Sequence, residues 1–339
     1  MARYATVTGV GSSLPERVVP NSWFEERLET SDEWIQERTG IRSRRFADPS
    51  VATSDLGLQA SRRALESAGI PPEQVDLIVC ATLSPDTPIP STAVWIQRKL
   101  GISCPAFDVN AACAGFSYAM STAVAFIESG AADTVLVIGA EVISKVLDMD
   151  DRGTAILFGD GAGALVLRPG ENQGVIGSVL GADGAAAEIL WIPAGGTQMP
   201  ASEETVARHD HAIRMPNGRE VFKRAVMEMA SSCRELLEKS GYKPDDVNVL
   251  IPHQANARIM NAVAERLGIT GDRAIVDVAE IGNTSAASIP IALDRAWRSS
   301  RVKEGDLVLL TSFGAGLAWG ANLIRWTMTE PNRATGPAS

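Results

Sequence analysis

Cysteine and histidine are both scarce in this chain, and each scarcity removes a class of function. Four cysteines (Cys80, Cys104, Cys113, Cys233) stand among 339 residues with no Cys-x-x-Cys spacing. That pattern argues against zinc, so no metal is expected, and against a disulfide framework; a reducing, cytoplasmic setting fits it. Three histidines (His209, His211, His253) leave few pairings for nucleophilic chemistry. No apolar run approaches the ~20 residues that span a bilayer, so no membrane role is expected. The segment 4–10 alternates like a strand and lacks the basic and long apolar regions of a secretion signal. Positive charge is also in deficit. Lys and Arg number 31 against 41 Asp and Glu, a formal net charge of −10 that argues against nucleic acid as a partner. A phosphorylated ligand needs only a local basic mouth and stays compatible.

What is present is a core. Apolar residues make up 45% of the chain, enough for two ordinary domains or one large α/β unit. Segment 75–81, apolar except for Asp76, and the continuous apolar segment 134–139 predict buried strands. Helical spacing marks 53–68, 93–100 (closed by Gly101) and 220–240. A polar helix is expected within 28–45, capped at Thr30-Ser31-Asp32-Glu33-Trp34. Residues 155–167 read as two strands joined at Gly159-Asp160-Gly161. No Lys-Ser/Thr follows those glycines, and Gly9-x-Gly11 opens no glycine-led helix, so neither is expected to bind phosphate. Residues 170–217, broken by Pro193, Pro200 and Pro216, are expected to hold one or two strands and a long excursion with solvated His209 and His211.

One stretch concentrates the chemistry. Phe107-Asp108-Val109-Asn110-Ala111-Ala112-Cys113-Ala114-Gly115-Phe116 starts extended, crowds very small residues around a cysteine, and continues with helical spacing. That is a strand, a tight turn and a helix, with Cys113 at the corner. The free N–H groups and dipole of a helix N-terminus favour thiolate there. The alternative is a small buried hydrophobe, the commoner fate of a free cysteine.

The chain also repeats itself at an offset of about 170 residues. Pro244-Asp245-Asp246-Val247 mirrors Pro72-Glu73-Gln74-Val75, Arg266-Leu267-Gly268 mirrors Lys99-Leu100-Gly101, and Val276-Asp277-Val278 mirrors Phe107-Asp108-Val109. Two copies of one β-α-β-α-β unit follow, with mainly parallel sheets expected. If the halves pack about a pseudo-twofold axis, the corners bearing Cys113 and Asn283 face each other, and His253 joins them from a strand end.

At these residues the chain resembles the thiolase superfamily, and within it the acyl-CoA-primed β-ketoacyl-acyl-carrier-protein synthases III. The matching segments include Arg38-Thr39-Gly40-Ile41-Arg42, 108–115, Asp151-Arg152-Gly153-Thr154, His253-Gln254-Ala255-Asn256-x-Arg258, Gly282-Asn283-Thr284-Ser285-Ala286-Ala287-Ser288 and Phe313-Gly314-Ala315-Gly316. The resemblance implies a homodimer of five-layered αβαβα subunits, internally duplicated. It implies an N-terminal half over 1–170, a C-terminal half over 171–330 and a flexible tail over 331–339. It implies a Cys113, His253 and Asn283 triad, an oxyanion hole from the backbone of Cys113 and Ala315, and no cofactor, CoA thioester being a substrate. Trp34 and Arg152 would clamp the CoA adenine, with Arg38, Asn256 and Phe313 further along the substrate. Lys223 and Arg258 would meet an acidic malonyl-acyl carrier protein. The activity implied is decarboxylative condensation of an acyl-CoA primer with that carrier, in polyketide priming or fatty-acid initiation. Three departures stand out. Ile89 replaces a phenylalanine that would floor the partner's acyl pocket, opening space for about one to three carbons at ~0.8 kcal/mol per CH2. Ala315 replaces a glycine, and Asn110 a small residue.

Overall fold

The computed structural model describes residues 3–171 and 174–329; the expected tail at 331–339 lies outside the described residues. One sheet holds β1 (Tyr4–Ser13), β2 (Leu77–Ala81), β3 (Ala106–Val109), β4 (Val135–Glu141) and β5 (Gly161–Gly170), in the order β1-β5-β4-β2-β3. A second holds β6 (Val175–Ala182), β7 (Val249–Pro252), β8 (Leu307–Gly314) and β9 (Ala318–Arg325), in the order β6-β9-β8-β7. Shifting the first order by one half-chain reproduces the second. Where β3 would have its counterpart, a single parallel bridge joins Leu250 to Ala274.

The helices follow the same repeat. In the first half they are α1 (Asp32–Thr39), α2 (Thr53–Ala68), α3 (Thr92–Leu100) and α4 (Gly115–Ser129). In the second they are α5 (Gly218–Ser240), α6 (Ala257–Leu267) and α7 (Ser288–Arg298). Alternation along the strands explains the layers. Val135 and Val137 join Phe116, Met120, Leu293 and Leu310 in a core between the sheets. Leu136 and Ile138 point the other way, onto Leu56, Ala60 and Ile96 of α2 and α3. Leu307 and Leu309 likewise meet Met229, Leu236 and Val263 of α5 and α6. Both faces of each sheet are therefore covered, which is why these strands read as unbroken apolar runs. The stack is helices, sheet, helices α4 and α7, sheet, helices.

Two expectations need correction. The sheets are mixed rather than mainly parallel: β2 pairs in parallel with β3 and β4, and β7 with β8, but β1–β5, β4–β5, β6–β9 and β8–β9 are antiparallel. Three residues link β8 to β9, and so short a link closes a hairpin and cannot make the crossover that parallel pairing needs. Nor does a hairpin turn at Gly159-Asp160-Gly161. A short helix, Arg152–Ala155, precedes it, and only β5 follows. Buried Asp160 instead accepts from Ala47 N (2.7 Å), Ser144 N (2.8 Å) and Ser144 Oγ (2.6 Å), tying the loops together. In the excursion after β6, the histidines both have partners. His209 Nδ1 lies 3.1 Å from Asp148, and His211 Nε2 lies 2.9 Å from Thr205 Oγ1.

Candidate active site

The Cys113 corner is built as a strained turn. The chain leaves β3, makes one 3-10 turn over Ala112–Ala114 and enters α4 at Gly115. Ala112 sits at φ 45°, the left-handed region that L-residues rarely adopt. Asn110 explains how it is held there: its Oδ1 accepts from Ala112 N at 3.2 Å. Small neighbours are obligatory. A Cβ at Gly314 would lie 2.6 Å from Cys113 N, and one at Gly115 would lie 3.2 Å from Ala81 Cβ. Cys113 itself is buried at 6% exposure, and burial pushes its thiol up to about 12. Desolvation therefore outweighs the expected helix-end stabilisation of thiolate and favours the thiol.

The second half repeats the turn with different chemistry. Ser285 takes φ 50°, and Asn283 Oδ1 accepts from Ser285 N at 2.9 Å before the 3-10 turn Ser285–Ala287 leads into α7. By register Asn283 matches Asn110, and Ala286 matches Cys113. The two corners do meet, since the turns at 112–114 and 285–287 pack on each other. His253 follows β7; its backbone N–H donates to Thr311 O (2.7 Å), and its Nδ1 lies 2.6 Å from Ser288 Oγ. Burial lowers this imidazole to about 4, so it is neutral near pH 7.

Cys113, His253 and Asn283 line one cavity of about 740 Å³, counting the solvent at its mouth. Phe313 and Asn256 share its wall, with apolar Leu190, Met215, Val221 and Met229. Such a site offers one sulfur nucleophile and two neutral donors in apolar surroundings.

Comparison with known proteins gives this geometry a family. The models for 3-oxoacyl-[acyl-carrier-protein (ACP)] synthase III and for its C-terminal part match residues 107–184 and 237–326. A β-ketoacyl-[acyl-carrier-protein] synthase III of Caldanaerobacter subterraneus is 50% identical over 95% of this chain and 98% of its own. The chain belongs to the 3-oxoacyl-[acyl-carrier-protein] synthase III family. Among solved structures, the synthase III of Aquifex aeolicus is 45% identical, covering 95% of this chain and 100% of its own at a TM-score of 0.87. The priming β-ketosynthase of the R1128 polyketide biosynthetic pathway is 38% identical, covering 97% and 98% at 0.90. The fold is the thiolase fold, and the protein is a ketosynthase-type acyltransferase.

The remaining expected residues of this synthase fall in three places. At the α1 end, Ser31 Oγ accepts from Trp34 N at 3.1 Å, so the helix carrying Trp34 and Arg38 has a firm cap. The Arg152 guanidinium lies 4.9 Å from the Trp34 ring and donates to Glu29 O at 2.6 Å. An adenine between them needs roughly 7 Å, twice the ~3.5 Å contact of stacked atoms. The expected slot is thus closed here, and Arg152 must swing aside to open it. Asn256 caps α6 through Oδ1 (Arg258 N, 2.9 Å) and holds Arg38 O through Nδ2 (3.0 Å), joining the two halves at the cavity mouth. On the α5–α6 surface, Lys223 and Arg258 are exposed and form no ion pair among the described residues, whereas Arg224 is committed to Asp183 (2.7 Å) and Glu228 (3.4 Å). Ile89, 85% exposed, tips the loop after β2. Ala315 takes no left-handed φ, so its replacement of glycine brings no backbone strain. No helix among the described residues is long and apolar enough to cross a membrane. Glu141, Ser285 and Ser288 were missed as site residues. The signal for Glu141 was a lone charge ending the otherwise apolar run Val135–Glu141.

Proposed function

We propose that the enzyme joins a short acyl-CoA primer to malonyl-acyl carrier protein, releasing CoA and CO2 and leaving a β-ketoacyl carrier thioester. One observation carries this reading: both donors are pinned from behind. Ser288 holds the imidazole at Nδ1 and the Ser285 N–H holds the carboxamide at Oδ1, which leaves Nε2 and Nδ2 for the cavity that Cys113 lines. Cys113 takes the acyl group by nearly isoenergetic thioester exchange, so the primer waits covalently while CoA leaves. Decarboxylation of the malonyl unit leaves the bonding pair as an enolate, and two neutral donors stabilise its oxygen. The carbanion attacks the acyl–Cys113 carbonyl, with the N–H groups of Cys113 and Ala315 as donors to the tetrahedral oxygen. Carbon dioxide leaves the electron pair behind, so this scheme calls for no redox group, metal or other cofactor.

Trp34, Arg152, Arg38 and Asn256 form the CoA entrance in this reading, and Lys223 with Arg258 attract the acidic carrier. A side chain as apolar and exposed as Ile89 suits a homodimer in which it floors the partner's acyl pocket. Isoleucine in place of a ring there favours propionyl to butyryl primers over acetyl. Identity of 50% to a synthase III against 38% to a polyketide-priming enzyme weighs towards fatty-acid-type initiation; polyketide priming rests on Ile89 alone. A CoA thioester substrate and free thiols support a cytoplasmic setting. Intact-protein mass spectrometry with a panel of acyl-CoAs tests the scheme. An acyl adduct is expected that is absent in Cys113→Ala and is discharged by malonyl-carrier protein. Acylation without malonyl-dependent discharge overturns condensation in favour of ester formation.

A further inference from the structure

Glu141 ends β4 with no exposed surface and five hydrogen-bond contacts on one side. Thr82 Oγ1 (3.0 Å), Leu83 N (3.2 and 3.1 Å to its two oxygens), Ser84 N (3.1 Å) and Ser84 Oγ (2.6 Å) all donate to it. Among the described residues no cation forms an ion pair with it or acts to lower it. On its other side lies the turn Ser285–Ala287, so close to β4 that a Cβ at Gly139 would sit 2.4 Å from Ala286 O. Ser285 is wholly buried in that turn, and its Oγ has no formed hydrogen bond. The same turn packs on both the Cys113 turn and β4, and the Ser285 hydroxyl opposes the rise of the Cys113 thiol and of the Glu141 carboxyl alike. Leaving a buried hydroxyl unpaired is costly, and a transient partner offsets that cost.

We propose that Ser285 and Glu141 form the proton path for Cys113: the thiol passes its proton to Ser285 Oγ while Ser285 passes its own to the Glu141 carboxylate. The inference rests on Cys113 being the nucleophile of the reading above. The bookkeeping closes. As the Cys113 S–C bond forms at the acyl carbon and the C–S bond to CoA breaks, CoA leaves as a thiolate protonated by water at the cavity mouth, and the proton held on Glu141 returns along the same hydroxyl to Cys113 when condensation releases its thiolate. Burial raises Glu141 to about 7, which suits an acceptor working near neutral pH; His253, lowered to about 4, is a much weaker base. The titratable groups facing Glu141 are the thiols of Cys113 and Cys80, both raised in turn by its charge. Glu141 touches no substrate and is a positioning residue acting through Ser285.

Alkylation of Cys113 by iodoacetamide, followed by peptide mass spectrometry across pH 5.5 to 9, tests the path without any acyl-CoA. Failure of the condensation reading would therefore leave this result standing, and the reverse. Wild-type alkylation is expected to rise through an inflection near pH 7. Ser285→Ala and Glu141→Gln are each expected to abolish that inflection and slow alkylation at pH 7.5 by about a hundredfold, the lower end of what a positioned base supplies. The double variant is expected to be no slower than either single one. Ala112 holds φ 45° in the twin turn, so alanine fits the Ser285 backbone and that variant decides the matter even if Glu141→Gln misfolds. A wild-type inflection and rate in Ser285→Ala would overturn the proposal and leave Glu141 as a brace for residues 82–84.

Discussion

Gly314→Ala probes how tightly the nucleophile is registered. A Cβ there would lie 2.6 Å from Cys113 N, 3.0 Å from Cys113 Cβ and 3.1 Å from Ala114 N. All three atoms are backbone or the root of a side chain, so no rotamer change relieves the clash. Gly314 is not at a left-handed φ, and the substitution therefore tests space alone. Restoring an ordinary contact of about 3.4 Å requires β8 and the Cys113 turn to part by nearly 1 Å. A misplacement of that size costs on the order of a hundredfold in a reaction that depends on near-attack geometry. Overpacking of a dense core adds ~1–3 kcal/mol of destabilisation. Single-turnover acylation of Cys113 by propionyl-CoA, read by intact mass, is expected to slow about a hundredfold, and the melting temperature to fall by a few degrees. Gly184→Ala, where nothing lies within 4 Å, is the matched control and should change neither. Acylation of Gly314→Ala within about threefold of wild type would refute the argument that the turn and β8 are fixed on each other.

Three further outcomes follow from the geometry. Burial holds His253 near 4 against its usual 6.5, so its contribution to stability is full above pH 6.5 and lost as pH falls through 4, about 3 kcal/mol in all. Glu141, raised to about 7, works oppositely over much of that range, stabilising as pH falls from 7 towards 4.5. The signal is thus a difference: between pH 7 and 5 wild type should lose more thermal stability than His253→Asn, and equal losses would contradict a neutral buried ring. Asn283→Ala removes the Nδ2 donor and the Oδ1 that caps Ser285 N. It is expected to slow malonyl decarboxylation about a hundredfold while acylation of Cys113 falls much less, and a uniform loss in both half-reactions would count against the assigned role. Lys223→Glu is expected to raise the KM for malonyl-carrier protein and leave that for the acyl-CoA primer unchanged; an unchanged carrier KM removes Lys223 from the docking surface.

The parts of this molecule legible in the sequence are those whose physics is local. Small residues around Cys113 announced an uncluttered turn, and a Cβ at Gly115 or Gly314 would indeed crowd it. The repeat announced two like halves because each must bury the same apolar strands against the same kind of helices. Strand direction was less legible: nothing in Leu307–Gly314 or Ala318–Arg325 says that a three-residue link will fold them back as a hairpin, except the shortness of the link itself. The closed Trp34–Arg152 stack was invisible because it depends on which rotamer a long side chain adopts.

The Asn110 substitution, inexplicable in sequence, shows what duplication does to chemistry. Both halves need an L-residue at positive φ to turn a strand into the central helix, and both use an asparagine two residues earlier to hold it. In the first half that asparagine is exposed and spent on the turn alone, which frees the following position for a cysteine. In the second half the equivalent of the cysteine is Ala286, whose backbone carbonyl closes on Gly139 and which does not line the cavity. There the asparagine itself lines the cavity, and its Oδ1 anchor turns the opposite end of the amide to use. One backbone device thus yields a nucleophile in one copy and a donor in the other. The second turn packs on both β4 and the Cys113 turn, so the same device that holds Ser285 at positive φ sets a buried, unpartnered hydroxyl beside the first corner.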